Sequence, residues 1–334
     1  MILALETSCD DTCAAVIDHG GAIHSNVISS QRVHGRFGGV VPELASRHHL
    51  ENVNAIVDEA LERSGATLDD VSLVAVTQGP GLMGALLVGV ATAKALAGVR
   101  RLDLAPVDHL QGHVAASFLQ TTAGPALEPP FICLIASGGH TLLTRVDDPA
   151  GHRVLGATLD DAAGEAFDKG ARMLGLGYPG GPALSKLAQG GDPSAFAFPI
   201  AAGVAGLNFS FAGLKTSLLY RIRDLGQAEA GRRAADLAAS YEHAIVEALV
   251  ARVQRAIEAT GLRRLALGGG VAANSRLRER IAGLDLPQIH IPPPDLCTDN
   301  AAMIASAARW VTPVPFPDYL ALDAYATRVR AAAA

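Results

Sequence analysis

The stretch FICLIASGGHTLLTRV, residues 131–146, decides the fold. Phe131 to Ala136 is an apolar strand, Ser137-Gly138-Gly139-His140 is a turn, and Thr141 to Val146 runs back antiparallel. Residues 154–158 read as a third strand. The N-terminus repeats this plan. ILALETSCDDTCAAVI, residues 2–17, is a strand, a small polar turn and a returning strand, and residues 22–28 add the third. One supersecondary unit written twice, about 130 residues apart, predicts a duplicated two-lobe protein.

Outward from these units the pattern is α/β. Residues 42–63 read as a helix with Leu44, His48, Val53, Ile56, Val57, Ala60 and Leu61 inward. Residues 72–77 and 104–107 read as strands, and the apolar run 81–98 between them as a buried core helix, since Lys94 and several glycines argue against a membrane span. A polar, proline-containing link covers 120–130. Residues 161–174 are helical, and 228–260 read as one long amphipathic helix with Leu237, Ile245, Leu249, Val253 and Ile257 inward and Arg232, Arg233, Arg252 and Arg255 on a solvated face. Strands at 264–267 and 288–291 follow. We expect a first lobe of residues 1–128, to which 299–334 return, and a second lobe of 129–298.

Composition narrows the classes. With 334 residues and 49% hydrophobic content the chain can bury two cores. A net charge of −6 excludes a global positive field that recruits nucleic acid, so any RNA contact needs a local basic surface or a partner. The four cysteines form no CxxC pair and no disulfide framework, so we expect reduced thiols in a cytoplasmic protein, with Cys9 and Cys13 as small buried residues. Glu6 interrupts the first apolar run and no basic segment precedes it, so no signal peptide is expected.

Several motifs carry chemistry. His109 and His113 stand four residues apart in a predicted helix that Asp108 caps, so both imidazoles project from one face. Such a pair can hold a metal, or one ring can pack while the other is solvated. Asp299 is the candidate third ligand, although a carboxylate at a helix start is commonly a cap. Leu110-Gln111-Gly112 between the histidines holds no glutamate, which excludes the HExxH metalloprotease. The turn Glu6-Thr7-Ser8-Cys9-Asp10-Asp11-Thr12 can hold a phosphate on its amides or a cation on its carboxylates, or can close on its own backbone.

Glycines mark further sites. Gly79-Pro80-Gly81-Leu82-Met83-Gly84 satisfies GxGxxG, but it lies outside the first βα unit, holds proline in the tight turn and precedes an all-round apolar helix, which argues against dinucleotide binding. Gly138 and Gly139 let a phosphate approach the backbone. A glycine-rich loop spans 175–182, and Gly268-Gly269-Gly270 leads from a strand to a helix with Asn274 set to bond a base or sugar. No GxxxxGK[ST] P-loop is present.

Taken in order, ETSCDDT, TQGPGLMGALLVG, DHLQGHVAA, ASGGHT, FDKGARMLGLGYPGGP, FSFAGLKT, LGGGVAANS and CTDNAAM resemble the bacterial tRNA threonylcarbamoyltransferase family TsaD along almost the whole chain. The resemblance implies the actin, Hsp70 and sugar kinase fold, two RNase H-like lobes around a nucleotide cleft. It implies transfer of the threonylcarbamoyl group from threonylcarbamoyl-AMP to the exocyclic amine of the adenosine beside the anticodon. It implies a divalent metal, iron in preference to zinc, on His109, His113 and Asp299. It also implies that Ile135, Ala136, Ser137, Gly138, Gly139, Asp168, Gly181 and Asn274 line the site for an adenylate or ATP. Asp10 and Asp11 match an acidic pair that commonly ends in glutamate, so Asp11 is one methylene short. Asp10 is the candidate proton acceptor. Implied partners are tRNA, a TsaB-like paralogue docking on the apolar helices near residues 42–98, and a TsaE-like ATPase, with no membrane. A kinase or ATP-driven switch on the same fold and a scaffold subunit are the rival readings.

Overall fold

Two five-stranded sheets with one topology form the molecule, a computed structural model describing residues 1–121, 126–201 and 203–327. The first sheet comes from β1 (Ile2–Glu6), β2 (Asp11–Ile17), β3 (Ile23–Ser30), β4 (Leu73–Gly79) and β5 (Asp103–Asp108). Its helices are α1 (Pro42–Ser64), α2 (Met83–Arg100) and α3 (His109–Ala115). The second comes from β6 (Phe131–Ala136), β7 (Thr141–Asp148), β8 (Gly151–Ala157), β9 (Arg264–Gly268) and β10 (Gln288–His290). Around it run α4 (Ala163–Met173), α5 (Gly180–Ala188), α6 (Ala212–Leu225), α7 (Gln227–Arg232), α8 (Ala234–Thr260), α9 (Ser275–Ala282) and α10 (Pro294–Cys297), and α11 (Ala301–Ala308) is the last α-helix among the described residues. The orders are β3-β2-β1-β4-β5 and, read from the equivalent end, β8-β7-β6-β9-β10. In each, three antiparallel strands are followed by two parallel ones. The duplication legible in the two hairpins therefore extends through both sheets.

Burial explains the uninterrupted apolar runs. β1 and β6 are central and covered on both faces, so neither alternates polar with apolar residues. Phe131, Cys133 and Ile135 face a core shared with Ile2, Ala4 and the helix α11, while Ile132, Leu134 and Ala136 face the helices of the second lobe. α11 and α3 thus pack between the sheets. They approach closely because residue 112 is glycine: a Cβ there would lie 2.7 Å from Ile304 Cδ1.

The GxGxxG stretch has a structural reason. A Cβ on Gly81 would lie 2.6 Å from the Ser8 carbonyl oxygen, which accepts a 2.8 Å hydrogen bond from the Leu82 amide. Gly84 and Gly89 likewise bring α2 against Ser46 and Thr7. Gly81 packs against the backbone of Ser8 and Gly89 against the Thr7 side chain, and both hold the Glu6–Thr12 turn in place.

Other expectations change. In α1 the inward histidine is His49, with His48 only half-buried, because the buried stripe runs at helical spacing through Ala45, His49, Val53, Ile56, Val57 and Ala60. α2 is long and apolar enough to cross a membrane but packs on β4 and α1. It is not the wholly buried helix expected, since Met83, Leu87 and Val99 are exposed. The predicted helix 228–260 breaks at Arg233, between α7 and α8. Parts of the 120–130 link and of the returning 299–334 segment lie outside the described residues.

Arg252 is not solvated. It is 2% exposed, and its guanidinium donates to the carbonyls of Asn208 at 2.8 Å, Ala201 at 2.6 Å and Val204 at 3.4 Å. The charge is buried against three carbonyl dipoles, which ties the 201–208 segment to α8. Replacing it with methionine strands those carbonyls, so Arg252→Met should lower stability by about 3 kcal/mol in urea titration.

Candidate metal centre and nucleotide cleft

Two segments of the chain build the cluster. Asp108 ends β5 and caps α3, its Oδ1 accepting from the amides of Leu110 at 2.9 Å and Gln111 at 3.2 Å. The helix then sets the rings of His109 and His113 4.8 Å apart, centroid to centroid. Asn300, not Asp299, caps α11, accepting from the Met303 amide at 2.9 Å. The Asp299 carboxylate is thereby spared that role. Its Oδ1 stands 3.6 Å from His109 Nε2 and 3.4 Å from His113 Nε2. The sequence candidates from two distant segments therefore meet, one donor atom from each lying within 4.8 Å of the others.

These residues fit a metal. His113 is fully buried, and neither ring nitrogen has a hydrogen-bond partner among the described residues. Buried polar atoms are normally paired, and a cation would pair this one. Two imidazoles and one carboxylate suit a divalent transition ion with open positions.

Glu6, legible in the sequence only as the end of an apolar run, stands behind the cluster. It is buried, and its Oε2 accepts from His109 Nδ1 at 2.9 Å and from Thr77 Oγ1 at 2.6 Å, while Oε1 accepts from the Ser8 amide at 2.5 Å. With Nδ1–H committed to Glu6, His109 Nε2 is the atom that faces Asp299. Burial would lower the His109 pKa, but Asp299 and Glu6 outweigh it and raise it to about 9. Burial would raise Glu6 and Asp299, but the histidine rings hold both below the usual carboxylate range. Because such a carboxylate fixes ring orientation and basicity, Glu6→Gln should weaken metal binding by roughly 10–100-fold in isothermal titration.

Two more histidines escaped sequence reasoning. His140 closes the Ser137 turn, with its ring centroid 6.4 Å from that of His109. Burial, and then the His109 and His113 rings, lower its pKa to about 4. It is neutral at pH 7. His49 accepts from Thr12 Oγ1 at 2.8 Å on Nδ1 and donates from Nε2 to the Cys9 carbonyl at 2.9 Å, which clamps the acidic turn onto α1. Neither stands at a spacing that marks it in the sequence.

Beside the cluster lies a cavity of about 750 Å³, lined by Asp10, Asp11, Gly138, Asp168, Gly181 and Asn274 among others. Gly138 and Gly139 have open space where a Cβ would project, so a ligand can reach their amides. Gly181 would meet only Phe167 Cβ, at 3.9 Å. Ile135 and Ala136 have core side chains, and both residues pair with β7 in the second sheet. Ser137 Oγ accepts from the His140 amide at 3.2 Å and so shapes the turn. Asp168 Oδ1 accepts from the Gly180 amide at 2.9 Å, and burial raises its pKa. Asp11 is pushed up to about 7, chiefly by burial and further by Asp299 and Asp10. Asn274 caps α9 with its Oδ1, so it is less free than the sequence suggested. Cys9 and Cys13 lie outside the metal-ligand group. Across the cleft mouth Tyr178 Oη donates to Asp10 Oδ2 at 3.4 Å, and Arg172 donates to the Gly38 carbonyl.

Duplicated lobes around such a cleft define a protein of the actin, Hsp70 and sugar kinase fold. A solved relative in fold is the activator of 2-hydroxyisocaproyl-CoA dehydratase from Clostridium difficile with bound ADPNP, with a TM-score of 0.52, 16% identity and coverage of 92% of each chain. The family described as TsaD, tRNA N6-adenosine threonylcarbamoyltransferase, matches residues 22–306. A tRNA N6-adenosine threonylcarbamoyltransferase of Anaeromyxobacter dehalogenans (strain 2CP-1 / ATCC BAA-258) is 54% identical over 313 residues, 92% of each chain. One from Trichlorobacter lovleyi is 47% identical over 332 residues, covering 98% of this chain and 96% of that one. The chain belongs to the TsaD family and is a tRNA-modifying transferase.

Proposed function

We propose that this enzyme transfers the threonylcarbamoyl group of threonylcarbamoyl-AMP to the exocyclic amine of the adenosine next to the anticodon, in tRNAs that read codons beginning with A, releasing AMP. The observation that carries this reading is the His109, His113 and Asp299 cluster beside a cavity of about 750 Å³ lined by glycine backbone. A nitrogen–carbon bond forms between the amine and the carbamoyl carbon, the bond from that carbon to the phosphate oxygen breaks, and the amine gives up one proton. The acyl group arrives activated, so no serine or cysteine nucleophile is needed.

The amides of Gly138, Gly139 and Gly181 bind the adenylate, and Asp168 and Asn274 take its nucleoside end. A metal held by His109, His113 and Asp299, iron in our reading, supplies Lewis acidity toward phosphate or carbonyl oxygen. Asp11, at about 7, is matched to accept the amine's proton near neutral pH. We therefore assign the proton to Asp11 and not to Asp10, which Tyr178 holds by its hydroxyl.

The protein works in the cytoplasm with a TsaB-like paralogue and a TsaE-like ATPase. Leu50, 68% exposed, and Val99, 80% exposed, with Met83 and Leu87, give α1 and α2 an apolar outer stripe for the paralogue. Purified enzyme with its partners, given labelled threonylcarbamoyl-AMP and tRNA, should yield labelled tRNA and AMP. Phosphorylation of small acceptors from ATP, with no label on tRNA, would favour a kinase instead.

A further inference from the structure

A net charge of −6 leaves an RNA substrate to be held by local cations, and the rim of the cleft supplies them. Between β3 and α1 the chain makes a short 3₁₀ helix, Arg32–Arg36. Gln31 and His34, three residues apart, fall on its buried side. His34 Nε2 donates to Gln31 Oε1 at 3.0 Å, His34 Nδ1 accepts from the Val41 amide at 3.3 Å, and Gln31 Nε2 donates to the Ala45 carbonyl at 3.2 Å. These bonds pin the segment from beneath. Arg32, Arg36 and Phe37 are left on the surface, Phe37 59% exposed. Neither Arg32 nor Arg36 has an ion pair or hydrogen bond among the described residues.

The segment stands at the cleft. The Gln31 amide donates to the Asp10 carbonyl at 3.1 Å, which ties it to the acidic turn. Arg32 is the one basic residue lining the cavity among the described residues, against the carboxylates Asp10, Asp11 and Asp168. From the opposite wall the exposed Arg172 reaches across and donates to the Gly38 carbonyl, which sets a third guanidinium next to the Phe37 segment.

This distribution of charge sorts the parts of a nucleotide. Three carboxylates inside the cavity repel a phosphodiester, and guanidiniums at its rim attract one, so the backbone stays outside while an uncharged base enters. An exposed aromatic ring among arginines suits the unstacked bases of a single-stranded loop, whereas a paired stem offers no free face to stack on. We propose that Arg32, Arg36, Phe37 and Arg172 form the surface on which the single-stranded loop of the tRNA rests, with phosphates on the arginines and one base stacked on Phe37. It rests on the tRNA-transfer reading above.

The test uses the full-length protein with its partners and an unmodified tRNA transcript, with affinity read by fluorescence anisotropy over a series of KCl concentrations. Arg32→Gln and Arg36→Gln should each weaken tRNA binding about three- to tenfold at low salt and flatten the plot of log affinity against log salt by about one unit of slope. Phe37→Ala should weaken binding about tenfold with the slope unchanged, and should leave binding of a blunt duplex of the anticodon stem as it was. In steady-state transfer the KM for tRNA should rise by the same factors while the KM for threonylcarbamoyl-AMP stays at the wild-type value. All three side chains are exposed, so the variants should keep the wild-type melting temperature.

Unchanged tRNA affinity and slope in the Arg32→Gln/Arg36→Gln double variant would overturn the assignment. So would a raised KM for threonylcarbamoyl-AMP with tRNA affinity intact, which would make Arg32 a ligand of the small substrate, or loss of the partners on gel filtration, which would make the rim a protein interface. Binding of tRNA through these residues without any labelled tRNA product would leave the surface standing and end the transfer reading. No binding of tRNA by wild type would sink both.

Discussion

His109→Ala and His113→Ala should each reduce bound metal from one equivalent per chain to near zero by elemental analysis, and lower threonylcarbamoyl transfer at least about 10³-fold, in line with the loss of several kcal/mol of transition-state charge stabilisation. Each leaves only one imidazole and one carboxylate within 4.8 Å. The fold should survive. Removing His113 takes one neighbour from Asp299 Oδ1, 3.4 Å away, but leaves that carboxylate His109 at 3.6 Å and opens a cavity beside α11. Metal affinity should also depend on pH in a fixed direction. In the metal-free protein His109 is raised to about 9, so below that pH a bound cation must displace its proton. Affinity should rise about tenfold per pH unit up to pH 9 and level off above it. The same shift makes the metal-free fold most stable below pH 6.5, the unfolded value, with that contribution lost as pH rises through 9. Undiminished transfer in both alanine variants would remove the metal from the mechanism.

Asp11→Asn should make the protein more stable and less active. The folded-state pKa of about 7 lies above the model value of 3.8, so the folded protein keeps a proton that the unfolded chain has lost. Stability from this group is greatest below about pH 4, falls as pH rises to 7, and stays low above it. Three units correspond to about 4 kcal/mol at most, and disturbing the Ser30 hydrogen bond reduces the gain toward about 2 kcal/mol. A melting temperature a few degrees above wild type at pH 8, with no gain at pH 4, is the expected result. Transfer should fall by about 10²–10⁴-fold, the usual contribution of a general base, and the wild-type pH–rate profile should bend near 7. A variant with full activity would exclude Asp11 as the base.

The parts of this protein legible in one dimension follow local rules. Hairpin units of strand, small polar turn and returning strand declare themselves because apolar run and turn residues are neighbours in the chain. The two-histidine helix declares itself because a spacing of four is a spatial statement on a helix. The misreadings have a common cause. Arg252 looks solvated in a helical pattern, yet carbonyls from 201, 204 and 208 bury it. α2 looks like a core helix, yet one side of it stays exposed among the described residues.

The sequence alone determined the duplicated α/β architecture, the family motifs and two of the three metal-ligand candidates on a shared helix face, because each is written in periodicities of a few residues. Only the tertiary structure decided that Asp299 meets those rings, that Glu6 orients one of them, and that Glu242 bonds to both Ser185 and Asn274. Those contacts join residues tens to hundreds of positions apart. Packing of α11 and α3 between two sheets creates them, and no local pattern encodes the depth at which a carboxylate comes to rest.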